Sequence, residues 1–168
     1  MSYDIWLNDP VTNQRIEFDS VHDMRGGTYA LGGTREAWLN ITYNYADYYY
    51  EVFDEDGIRH IYGMTGAESI PVLRIMIDQI TNRYQKDGQW ISTMRTKARF
   101  LDENGNEFRD IVEAVRSGRE YKTEEYEVEV SEGPNEDYWE DTAANAIRPL
   151  HQLIAMAQMR PDGIWGGD

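Results

Sequence analysis

The sequence predicts an α+β fold: a small, mostly antiparallel sheet, two main helices and an inserted β-rich acidic subdomain. Short runs of alternating apolar residues recur between turn residues, the mark of half-buried strands. Two long segments carry apolar residues at three- and four-residue spacing, the mark of amphipathic helices. Between them lies a stretch in which glutamates alternate with apolar residues. A chain of 168 residues fits one domain with an insertion. The expected division is a scaffold of residues 1–85 and 136–168 and an inserted strand–helix–strand subdomain of residues 86–135.

Taken in order, "YDIWLND" and "RIEFDS" read as a first hairpin around the turn residues Pro10, Thr12 and Asn13. In "MRGGTYALGGT", Gly26, Gly27, Gly32 and Gly33 let the chain bend twice. "AWLNITYNY" alternates Leu39, Ile41, Tyr43 and Tyr45 with Asn40, Thr42 and Asn44, so a strand is expected there. "YYYEVF" continues it or starts the next one. "DEDG" reads as a turn and "IRHIYGM" as a short strand. Thr65 and Glu68 form a capping box opening a helix over 66–84, with Ile70, Leu73, Ile77 and Ile80 on one face.

"WISTMRTKARFL" reads as a strand with Arg95, Lys97 and Arg99 on one face. Asn104-Gly105 is a hairpin signal. Phe108, Ile111, Val112 and Val115 then mark the apolar face of a short helix ended by Gly118. Tyr126, Val128 and Val130 alternate with Glu125, Glu127 and Glu129, which places the carboxylates on one strand face. A last helix over 138–159 carries Ala143, Ile147, Leu150, Leu153, Ile154 and Ala157, with Pro149 inside it. Trp165 folds back on the core.

Charge narrows the function. The net charge of −15 argues against direct binding of nucleic acid, which requires Lys and Arg to displace counterions. It is unevenly spread: residues 124–141 hold nine acids and no base. Absence of cysteine removes disulfides, thiol nucleophiles and cysteine-ligated zinc. No membrane span or signal peptide is read, and a reducing cytoplasm is the simplest setting. No cofactor is expected. The Walker pattern fails because Gly33 stands where lysine is needed, and the dinucleotide fingerprint is missing. His22, His60 and His151 lack metal-ligand spacing, Ser20, His22 and Asp23 are no triad, and "DEDG" is too short for a calcium loop. No catalytic or metal residue is assigned, and the chain is read as a non-enzyme.

Two candidate surfaces remain. The first is an acidic ridge of Glu124, Glu125, Glu127, Glu129, Glu132, Glu136, Asp137, Glu140 and Asp141, with Tyr126, Tyr138 and Trp139 as aromatic anchors, suited to a basic groove. Pairing with the basic strand would neutralise part of it. The second is a ligand loop of Arg25, Gly26, Gly27, Thr28, Gly32, Gly33, Thr34 and Arg35 for a nucleotide-like signal.

"MRGGTYALGGTREAWLNITYNY", "GIRHIYGMTGAESIPVL" and "PDGIWGGD" resemble a family of small proteins encoded by phages and mobile elements of gut Firmicutes. The resemblance covers residues 1–84 and 136–168. It implies an accessory phage protein of the anti-defence class, acting in the host bacterial cytoplasm. An anti-CRISPR that binds a guide-directed nuclease such as Cas9 through its acidic surface is the leading expectation. A nucleotide-sequestering protein is the alternative, and a homodimer is compatible with either.

Overall fold

The computed structural model describes residues 2–23 and 33–168. The chain is α+β, with small antiparallel sheets and four helices among the described residues. It divides into two compact units, Met1–Ile91 with Glu132–Asp168, and Ser92–Ser131. The second unit thus lies inside the span 86–135 expected for the insertion.

In the first unit, β1 (Ser2–Asn8) buries Tyr3, Ile5 and Leu7 on alternate positions. Its first-strand neighbour in sequence is β2 (Glu17–His22), which pairs instead with β3 (Thr34–Glu36). The expected first hairpin therefore reduces to one bridge, Asn8 to Arg15. Both edges of β1 are taken, by β4 (Trp38–Thr42) and by β10 (Ile164–Gly167), in the order β10-β1-β4. The register sets Tyr3 against Ile41, Ile5 against Leu39 and Leu7 against Trp165 on one apolar face.

The tyrosine-rich segment departs from the expected strand. β4 stops at Thr42, whose side chain accepts the Asn44 N–H and caps a 3-10 turn over Tyr43–Tyr45. Helix α1 (Ala46–Phe53) follows. Tyr45, Tyr48 and Tyr49, spaced by three and four, are all buried, so the helical period wins over the local alternation. The expected strand at 58–64 is likewise a 3-10 turn over Asp54–Ile61 that buries Ile58 and Ile61.

Helix α2 (Gly66–Tyr84) opens on the capping box: Thr65 Oγ1 accepts the Glu68 N–H at 3.2 Å and Glu68 accepts the Thr65 N–H at 2.8 Å. The two-residue turn Asp87-Gly88, with φ of 52° and 74°, joins β5 (Gln85–Lys86) to β6 (Gln89–Trp90). Helix α4 (Ala143–Met159) starts later than expected, at the Thr142 cap, and keeps Pro149 within it. Leu73, Met76 and Ile80 of α2 and Leu150, Leu153 and Ala157 of α4 share one core with the sheet face. Trp165 closes that core, 2% exposed, and donates Nε1–H to Ser69 Oγ at 2.7 Å.

The second unit has the strand order β8-β7-β9, built from β7 (Ser92–Asp102), β8 (Glu107–Phe108) and β9 (Tyr121–Ser131), with α3 (Ile111–Ser117) between β8 and β9. Asn104-Gly105 forms the tight turn, and Asp102 accepts the Asn104 and Asn106 N–H groups at 2.9 Å. The expected apolar face of α3 is on the outside. Ile111, Val112 and Val115 are about half exposed, and Ala114 is the buried residue. A seven-residue helix on so narrow a sheet buries one row, and the small alanine permits the closest approach. Leu101 and Ala114 are the buried apolar residues described in this unit.

Candidate partner-binding surface

Strand alternation decides what the acidic strand presents. In the β7–β9 register, Arg95 stands opposite Val128, Lys97 opposite Tyr126 and Arg99 opposite Glu124. Directly opposed residues share a face. One face of the ribbon therefore carries the three bases with Tyr126, Val128 and Val130. The other carries Glu125, Glu127 and Glu129, set against Ala98, Thr96 and Met94. The three glutamates are exposed, and their cross-strand neighbours are all neutral.

The expected pairing of the acidic strand with the basic strand forms, and it neutralises part of the ridge. Glu124, on the basic face, is paired in this way. It accepts from Lys122 at 2.5 Å and from Arg99 at 2.9 Å, and these cations hold its carboxyl below the usual range. Tyr126 is exposed on that same face, 5.7 Å from the Arg99 guanidinium. Glu124 and Tyr126 thus leave the carboxylate row, which is Glu125, Glu127 and Glu129.

The rest of the expected ridge belongs to the first unit. Glu132 is a structural residue, not a docking residue: it is 0% exposed. Its Oε2 accepts Tyr48 O–H at 2.7 Å and Ala143 N–H at 2.9 Å, at the start of α4. A carboxylate suits that position because the first-turn N–H groups lack helical partners and carry partial positive charge. Glu136 and Asp137 are exposed, while Glu140 and Asp141 are half-buried.

The loop that carries these acids is pinned from beneath. Asn145, 1% exposed, accepts Asn135 N–H and donates to the Asp137 and Glu140 carbonyls, both at 3.1 Å. Asn44 donates to the Trp139 carbonyl at 2.7 Å, and Tyr45 O–H donates to the Tyr138 carbonyl. The Tyr138 and Trp139 rings lie 4.0 Å apart, and Trp139 remains 47% exposed. Asn145 was not singled out from sequence. Its signal was a polar side chain at a buried helical position, one residue after the stripe residue Ala143 and its neighbour.

Of the second candidate surface, Arg25, Gly26, Gly27, Thr28 and Gly32 lie outside the described residues. Gly33 has φ 76°, and a Cβ there would meet the His22 carbonyl oxygen at 2.4 Å. Thr34 accepts Glu36 N–H, and Arg35 donates Nε–H to the Phe18 carbonyl. These three residues serve the β2–β3 pair. Among the described residues, no group of three or more His, Asp or Glu is placed to hold a metal ion, and no helix is long and apolar enough to cross a membrane.

A tyrosine cluster flanks the main sheet. Tyr43 hydroxyl lies 3.0 Å from that of Tyr50 and accepts from Arg59 at 3.2 Å, and its ring stacks on Tyr3 at 4.4 Å. The bonds with Tyr50 and Arg59 lower the Tyr43 phenol, while burial raises Tyr3.

Compared with protein-family models, curated proteins and solved structures, the chain matches none.

Proposed function

We propose that this protein is a non-catalytic inhibitor that docks its carboxylate row into a basic nucleic-acid groove of a partner protein. The observation that carries the reading is the segregation of charge on the β7–β9 ribbon. Glu125, Glu127 and Glu129 stand opposite Met94, Thr96 and Ala98, with the strand's own bases turned to the other face. Spaced about 6.6 Å apart along the strand, they present a row of negative charge on a fixed backbone, as a nucleic-acid strand does. The first unit, taken by itself, carries the pinned Tyr138–Trp139 pair beside Glu136 and Asp137, an ordered aromatic pair of the kind that dominates interface energetics.

The anti-defence reading makes a guide-loaded, Cas9-like nuclease of a Firmicute the first target, since its channels are basic and hold nucleic acid. The protein acts on it from the host cytoplasm, as an accessory phage product, without binding nucleic acid itself. Target-DNA cleavage is measured against inhibitor concentration at 50 and 300 mM salt. Inhibition near the stoichiometric ratio, weakened by salt, is expected, because charge-steered docking is screened. The triple variant E125K/E127K/E129K is expected to lose inhibition while melting as the wild type does. Full inhibition by the folded triple variant would sink the row as the docking element, and no inhibition at large excess would remove the nuclease as the target.

A further inference from the structure

We infer that the cleft beside α3, in the second unit, docks an acidic amphipathic segment of a partner protein. The cleft measures about 440 Å³, and its lining includes Phe108, Arg109, Val112, Glu113, Arg116 and Arg119. That volume is in the range of ligand-holding clefts. Arg109, Val112, Arg116 and Arg119 recur at three- and four-residue spacing, so they follow one side of α3 and the turns at its two ends. Ile111 and Val112 are each 49% exposed, and Val115, four and three residues further on, is 61% exposed. The helix thus presents a cationic stripe beside an apolar one.

The three arginines are open to a partner. Arg116 makes no hydrogen bond or ion pair among the described residues. The Arg109 side chain is 82% exposed and bonds its neighbour Asp110 at 3.0 Å. The Arg119 side chain is 70% exposed and stands 3.7 Å from Asp102. Exposed pairs of this kind are weak, and an outside carboxylate replaces them at little cost. Glu113, the acid of the cleft, already accepts the Arg109 N–H at 2.7 Å. Arginines therefore dominate the cleft, in a chain whose net charge is −15.

Charge and polarity together select the occupant. Single exposed apolar residues are ordinary, but Ile111, Val112 and Val115 form a contiguous stripe on one short helix. β-branched residues also suit a solvated helix surface poorly, where straight-chain polar residues serve better. A nucleic-acid strand offers phosphates to the arginines and nothing to the valines, and the net charge of the chain repels it. A helical segment with apolar residues at i, i+3, i+4 and i+7 and carboxylates between them meets both stripes. The site is small, since seven helical residues span roughly 10 Å. The contact therefore falls below the ~800 Å² per partner of a stable complex, and dissociation constants are on the order of 10–100 µM.

Fluorescence anisotropy of the full chain with a labelled peptide tests this, the peptide carrying leucine at i, i+3, i+4 and i+7 and glutamate elsewhere. Saturable binding is expected, weakened at least about threefold when salt rises from about 100 to 300 mM. R109E/R116E and V112S/V115S are each expected to weaken it at least about tenfold while melting as the wild type does, because all four side chains are exposed. A peptide with serine in place of leucine is expected to bind at least about tenfold more weakly. No saturable binding up to about 1 mM, or unchanged binding by folded R109E/R116E, would overturn the inference. So would labelled oligo(dT) binding tighter than the peptide, which would give the cleft to nucleic acid. Self-association of the chain that R109E/R116E removes would overturn it too, by giving the cleft to a second copy. R109E/R116E leaves Glu125, Glu127 and Glu129 in place, so nuclease inhibition by this variant reports on the proposed function separately.

Discussion

Replacing Glu132 by alanine tests whether this acid builds the fold or faces a partner. The side chain is fully buried and sits at the first turn of α4. Truncation removes the acceptor for the Ala143 N–H, worth ~1.5–3 kcal/mol for a bond to a charged group. It also leaves the space of the side chain, which costs about 1 kcal/mol more where neighbours relax only in part. Tyr48 retains the Asp141 carbonyl at 2.7 Å as an alternative acceptor, so its hydroxyl adds little. The sum is ~2.5–4 kcal/mol, or about 5–15 °C in melting temperature for a chain of this size. Glu132→Gln keeps the volume and one acceptor oxygen, and is expected to cost ~1 kcal/mol. Urea unfolding followed by tryptophan fluorescence measures both. A loss below ~0.5 kcal/mol for E132A would refute the structural role and return Glu132 to the docking surface.

Three further outcomes follow from the geometry. Gly66→Ala is expected to destabilise by more than ~1 kcal/mol despite the better helix propensity of alanine, because the new Cβ would lie 2.6 Å from the Arg160 carbonyl oxygen; thermal melting checks it, and a G66A protein more stable than wild type would contradict the packing of α2 on the 157–161 segment. Thr96→Lys places a cation opposite Glu127, so ribbon stability should hold or rise by ~0.2–1 kcal/mol while nuclease inhibition weakens; inhibition at the wild-type level would count against the row. Burial raises the phenols of Tyr45, Tyr62 and Tyr84 to about 12, and they are neutral in the fold. With an unfolded value near 10, the stability they supply is complete below pH ~10 and is lost as the pH rises toward 12. Absorbance titration should show them ionising late and together with unfolding, while Tyr43, held low by Tyr50 and Arg59, titrates earlier; a single wave near pH 10 in the folded protein would be the opposite result.

Legibility in the sequence tracked how local the cause was. The α2 capping box, the Asn104-Gly105 turn and the Gly118 cap depend on residues within four positions of each other, and each forms where the sequence places it. The pairing of β1 depends on β10, more than 150 residues away, so the hairpin expected with β2 is lost to a more distant partner. The segment 43–53 held two periods at once. Tyr43 and Tyr45 continue an alternation, while Tyr45, Tyr48 and Tyr49 fit a helix, and the choice falls to the helix because it buries three aromatic rings against the core. Glu132 looked like one acid among nine, since nothing in its neighbours announces a helix start ten residues later. The α3 stripe misled in the other direction: its spacing is helical, but spacing cannot show how much sheet is available to cover it.

The faces of the ribbon were the least visible feature, because they depend on register, and a shift of one residue exchanges every side chain between faces. Like charges 6.6 Å apart cost only ~0.6 kcal/mol per neighbouring pair in bulk water, and screening at physiological salt roughly halves this. Three glutamates in a row are therefore tolerable on a solvated strand, and their presence alone selects no function. The informative fact is where the compensation went. β7 carries three bases, and a base at position 94, 96 or 98 would have met a glutamate across the strand. Instead the bases occupy 95, 97 and 99, on the opposite face from Glu125, Glu127 and Glu129, and Arg99 pairs there with Glu124. A ribbon shaped by its own stability would gain ~0.2–1 kcal/mol per cross-strand ion pair, and this unit, with two buried apolar residues described, has little else to draw on. With the bases on the other face, Glu125, Glu127 and Glu129 stand opposite neutral residues, which is the arrangement the proposed docking into a partner's basic groove requires.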